Sequence, residues 1–107
     1  MDQQTLESVY ADLAVATTNY QQAISRRIEL KDNLEILKAA KVFTGENKES
    51  NVEKREAWNR EHFAVEYDLL NSAEITERQT KLAYDLAVQR EDFVKQTLRL
   101  MELTKGA

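Results

Sequence analysis

The sequence predicts an all-α fold: a long antiparallel two-helix hairpin, coiled-coil-like, that assembles into an oligomeric helical bundle. Three observations predict it. The 107 residues contain no proline and only two glycines, Gly45 and Gly106, so the strongest breakers of local structure are almost missing. Apolar residues recur at alternating intervals of three and four in both halves of the chain, the spacing of one helical face. Between the halves lies one polar stretch, Thr44-Gly45-Glu46-Asn47-Lys48-Glu49. The expected elements are a helix over about 3–43, a turn over about 44–50 and a helix over about 51–104, in one helical domain spanning 1–107.

In the first helix one heptad row is Leu6, Leu13, Tyr20, Arg27, Leu34, Lys41. A second row is Val9, Ala16, Ala23, Leu30, Leu37. Ala14, Val15, Ala16 and Ala23 are small enough for a partner helix to come close. Thr17-Thr18-Asn19 lowers helix propensity over too short a span to predict a break. The turn residues are Thr44, Gly45 and Asn47. Gly45 suits a helix C-terminus because glycine takes the left-handed conformation cheaply. The amide of Asn47 suits bonding to turn backbone, and Arg55 is placed to reach back to the loop carbonyls.

The second helix opens on Ser50-x-x-Glu53, which matches a capping box. Its stripe runs through Trp58 or Asn59, Phe63, Tyr67, Leu70, Ala73, Glu77, Lys81 or Leu82, Tyr84, Val88, Val94, Leu98 and Met101. Polar residues weaken it over 75–81. Asn71-Ser72 with Glu74 can cap a new helix, which defines the alternative architecture, a three-helix bundle broken near residue 71. A turn centred near residue 47 pairs positions whose numbers sum to about 95, which sets Leu37 near Trp58 and leaves residues beyond about 92 without a partner in the chain. Phe93, Val94, Leu98, Leu100, Met101 and Leu103 are therefore the candidate surface for self-association, since large exposed apolar patches mark interaction sites.

The chemistry is sparse. No cysteine is present, which excludes disulfides, thiolate metal sites and a Cys nucleophile. The single histidine, His62, lacks the Glu-x-x-His spacing of a carboxylate-bridged metal pair and reads as a surface residue. No phosphate-binding glycine loop or nucleophile elbow occurs. No catalytic residue, cofactor or metal is expected, so the chain is read as a non-enzyme. Mean hydropathy is -0.62, and no apolar run reaches the ~20 residues that span a bilayer. The sequence Met1-Asp2-Gln3-Gln4 carries no signal-peptide features, so a cytoplasmic location without membrane contact is expected.

The net charge of -4 is unevenly spread. Residues 26–60 carry nine Lys and Arg against seven Asp and Glu, and the remainder of the chain is acidic. Arg26, Arg27, Lys41, Lys48, Lys54 and Arg55 are the candidate contacts for nucleic acid or a partner near the turn. Trp58, Phe63 and Phe43 lie among them. Aromatics among cations serve single-strand binding, but the spacing of Trp58 and Phe63 assigns them to the core.

The turn Thr44-Gly45-Glu46-Asn47, then Arg55-Glu56-Ala57, then a helix ending Phe93-Val94-Lys95-Gln96-Thr97-Leu98-Arg99-Leu100-Met101-Glu102-Leu103, resembles small phage-encoded helical proteins. These have a T-G-x-N turn, an R-E-A helix start and a leucine-rich terminal helix. The resemblance covers about residues 35–103. In this chain seven residues, 48–54, stand between the Asn and the Arg, which lengthens the turn. It implies an accessory protein among phage recombination and replication functions, acting in the cytoplasm of a bacterial host, with single-stranded DNA or its binding protein as partner. A pure protein-interaction or assembly module, or an inhibitor of a host protein, is the alternative expectation.

Overall fold

The computed structural model describes residues 3–106, and the fold is all-α. Three helices follow in order: α1 (Gln3–Phe43), α2 (Val52–His62) and α3 (Ala64–Gly106). The chain divides into two compact units. Among the described residues, the first comprises 3–22 and 77–106, and the second comprises 23–76. In both, α1 and α3 pack side by side.

Within the first unit, the ring of Tyr20 lies 5.7 Å from that of Tyr84. Arg90 Nη1 donates to Asp12 Oδ2 at 3.0 Å, and Lys95 Nζ stands 5.4 Å from the Tyr10 ring centre. Residue numbers rise on α1 as they fall on α3, so the pair is antiparallel. Val9 and Val94 are its buried apolar side chains. Leu6, Leu13, Ala16, Ala87, Val88 and Leu98 are half-buried around them. Thr17 donates its hydroxyl to the Leu13 carbonyl at 2.7 Å, and the helix continues through it without a break.

The second unit holds Ala23, Leu34, Phe63 and Ala73 as its buried apolar core. Here Leu30, Leu34 and Leu37 line one groove together with Glu66 and Leu69. Small residues at Ala23 and Ala73 let the backbones approach. The heptad rows read from the sequence of α1 describe the buried face well. The exception is Leu37, which is 37% exposed.

The pairing register differs from the expected one. Tyr20 with Tyr84, Asp12 with Arg90 and Tyr10 with Lys95 sum to 102–105, not 95. Val94 and Lys95, beyond residue 92, therefore do pack within the chain, Val94 buried and Lys95 against Tyr10. The physical reason lies at the turn. Residues 44–51 and the short α2 take up length that a simple hairpin would give to the second helix. There is no break near residue 71, through which α3 runs. The interruption is at Phe63, whose backbone leaves the helix at φ -117, ψ 34. The second helix is thus two helices rather than one running over 51–104. The cap also moves by one residue. Asn51, not Ser50, caps α2, its Oδ1 accepting from Lys54 N at 2.8 Å. Farther along α3, Leu82 is 61% exposed and Met101 is 43% exposed, so the seam passes through Thr80 rather than Lys81 or Leu82.

Leu34 is 2% exposed, and truncating a buried leucine removes both transfer energy and packing. Leu34→Ala is expected to lower unfolding free energy by about 3 kcal/mol in urea titration, while Val65→Ala, at a position 68% exposed, shifts it by less than about 0.5 kcal/mol.

Candidate functional site

The turn is built around Asn47, which is 3% exposed. Its backbone N–H donates to Lys41 O at 3.0 Å, closing the end of α1. Its side-chain Nδ2 donates to Asn59 Oδ1 at 3.3 Å and to Arg55 O at 3.5 Å, both on α2. Its Oδ1 accepts from Glu49 N at 3.3 Å within the loop. One amide therefore joins α1, the loop and α2. Asn59 is 5% exposed and shares this pocket. Gly45 takes φ +78, the left-handed region, and donates to Val42 O at 3.1 Å. Thr44 donates its hydroxyl to Lys41 O at 3.3 Å. Arg55 Nε donates to Glu49 O at 2.7 Å.

A second polar group holds α2 against α3. Tyr67 donates its hydroxyl to Glu56 Oε1 at 2.8 Å, across 11 positions in sequence. In a straight helix those positions are separated by roughly 16 Å along the axis, beyond side-chain reach. The bond therefore requires the bend at Phe63. Lys38 adds its ammonium at 3.3 Å from Glu35 and 3.8 Å from Glu56, and Arg60 lies 4.9 Å from the Tyr67 ring centre. Burial lowers the Lys38 pKa, but the hydrogen bond to Glu35 and the fields of Tyr67, Glu35 and Glu56 outweigh it and leave it above 10.5. Burial and the hydrogen bond to Glu56 raise Tyr67 above 10.0.

Most candidate cations near the turn are already engaged. Arg26 lies 3.9 Å from Glu29, Lys41 pairs with Glu46, and Arg55 bonds the loop as above. Arg27 is half-buried and also engaged. Lys48 and Lys54 are exposed and make no ion pair among the described residues. Lys48 borders an open depression with Thr44, Gly45, Glu46, Trp58 and His62. There Trp58 is half-buried, not core, and stacks on His62 at 3.8 Å. His62 Nδ1 lies 2.8 Å from Trp58 O, within hydrogen-bond distance. Phe63 is buried and Phe43 is 93% exposed.

The candidate association surface divides. Val94 is 3% exposed and belongs to the interior of its unit, so it is not available to a partner. Leu98 is half-buried. Phe93, Leu100 and Leu103 are 64–66% exposed, and Met101 43%. The structure adds two residues to them, Leu82 at 61% and Leu86 at 56% exposure. Leu82, Leu86, Gln89, Phe93, Gln96, Leu100 and Leu103 follow intervals of four and three, and all are exposed. They form a second heptad row on α3, on the face away from Tyr84, Ala87, Glu91 and Val94. This second periodicity was the available signal. A single-stripe reading of the helix passes over it.

Comparison with protein-family models, curated proteins and solved structures returned no match. No helix among the described residues is long and apolar enough to cross a membrane.

Two predictions follow from this geometry. Asn47→Ala leaves the buried Asn59 carbonyl without its donor, and is expected to cost about 1–3 kcal/mol in chemical denaturation. Lys38 and Tyr67 both have folded pKa values raised above their ordinary 10.5 and 10.0. Their contribution is fully present below those values and is lost as pH rises through the folded ones. The melting temperature is expected to fall above pH 10 from this source, and Tyr67→Phe to blunt that fall.

Proposed function

We propose that this chain is a non-enzymatic helical accessory module of phage type that works by protein contact, with self-association through the outer face of α3. One observation carries the reading: the exposed row Leu82, Leu86, Phe93, Leu100, Leu103 on a helix whose other face is already packed on α1. A solvated helix needs one apolar face, and a second one at heptad spacing needs a second helix. The site of action assigned by the phage resemblance is the cytoplasm of a bacterial host.

The pairing of Arg26, Lys41 and Arg55 with acidic groups and loop backbone disfavours phosphate contact as the main role. Contact with single-stranded DNA in recombination or replication is kept as a second reading on a specific observation. Lys48 and Lys54 are unpaired among the described residues, and Lys48 shares a depression with the stacked Trp58.

Sedimentation equilibrium is expected to show a concentration-dependent oligomer that Phe93→Glu converts to a folded monomer. Loss of association with retained helicity is the supporting result, and a wild-type monomer throughout refutes the reading. Anisotropy of a labelled single-stranded oligonucleotide is expected to show no saturable binding at physiological salt. Salt-sensitive binding abolished by Lys48→Glu with Lys54→Glu would instead establish the DNA reading.

A further inference from the structure

Resting on that reading of the α3 outer face, we propose that its occupant is a second copy of this chain. The two α3 helices would pair antiparallel about a two-fold axis beside Phe93. The row itself is the argument. Read from 82 to 103 it is Leu, Leu, Gln, Phe, Gln, Leu, Leu, and it reads the same from 103 to 82. Reversal maps Leu82 onto Leu103, Leu86 onto Leu100, Gln89 onto Gln96 and Phe93 onto itself, each within one residue of a common centre.

A two-fold interface must be self-complementary in this sense, residue i meeting j and j meeting i. The two glutamines make the match selective. In this pairing each Gln89 amide meets a Gln96 amide of the second copy, and both find a donor and an acceptor. A register slipped by one heptad keeps one glutamine-glutamine meeting and sets the other glutamine of each copy against a leucine, Gln89 against Leu103 or Gln96 against Leu82, and polar residues at such positions are what fix register in helix pairs.

The flanking charges agree. Asp85 and Arg99 lie on one flank of the row, 14 positions apart, and neither has an ion-pair partner among the described residues. Reversal sets Asp85 of one copy beside Arg99 of the other, twice. Asp92 lies next to the axis on that flank and meets its own copy, a local repulsion that the two opposite-charge pairs offset. The gain in burial is large for this protein. Each copy contributes five exposed apolar side chains to the pairing, whereas only six apolar side chains are buried in the isolated chain among its described residues.

The absence of cysteine makes the geometry directly testable. Single cysteines are placed on the full-length chain at exposed positions, helicity is checked by circular dichroism, and a short bismaleimide is used as linker. Wild-type mass is measured in parallel by sedimentation equilibrium. The expected result is a dimer in which Phe93→Cys links to itself. Leu86→Cys alone and Leu100→Cys alone stay unlinked, because their copies lie ~21 Å apart. An equal mixture of Leu86→Cys and Leu100→Cys links. A dimer in which Leu86→Cys links to itself overturns the antiparallel pairing and leaves the contact-surface reading standing, whereas a dimer in which none of these links form overturns both. A monomer at every concentration up to the solubility limit overturns both.

Discussion

The rest of the structure depends on one narrow seam. In each unit, α1 and α3 meet along a single stripe, and among the described residues only Val9, Ala23, Leu34, Phe63, Ala73 and Val94 are buried apolar side chains. Small residues at two of these positions exchange hydrophobic area for close backbone approach. Burial of apolar surface is the main favourable term in folding, so a seam this thin leaves little margin against chain entropy. Helix propensity, uninterrupted by proline, supplies part of the difference. Under the proposed self-association, burial between molecules would supply more, so the second apolar row of α3 would bear on stability as well as on function.

The turn converts that seam into a defined register. Two long stripes of repeating sevens fit together in several registers, each one heptad apart. Asn47 removes that freedom. It bonds the last turn of α1, the loop and α2 at once, in a pocket closed to water. The Glu56–Tyr67 bond then fixes the bend between α2 and α3. Together they set where α3 begins alongside α1 within the unit 23–76.

Much of this was legible in the sequence. The helices, the location of the turn and the inward face of α1 follow from breaker-free length and the 3/4 repeat, because those are local properties. The bend at Phe63 was not legible, since neither proline nor glycine marks it. It goes with contacts among Glu56, Tyr67, Lys38 and Arg60 that join residues distant in the local pattern. The register was missed for the same reason: it depends on the folded path of the turn rather than on its length. At the candidate site, the apolar C-terminal stretch could be read. Its division into an inward Val94 and an outward Phe93 required knowing which face α1 covers. The cations near the turn could be counted, but their pairing depended on loop conformation.

The function proposed here follows from α3 having two apolar faces with different commitments. The inner face is packed within the chain, the outer face is exposed, and the proposal is that another helix covers it. The most direct test of that claim is methyl NMR of leucine-labelled protein across a concentration series. The account predicts shifts for Leu82, Leu86, Leu100 and Leu103 as concentration rises, with Leu13, Leu34 and Leu70 unmoved. Uniform shifts across both sets, or shifts confined to the inner leucines, would contradict it.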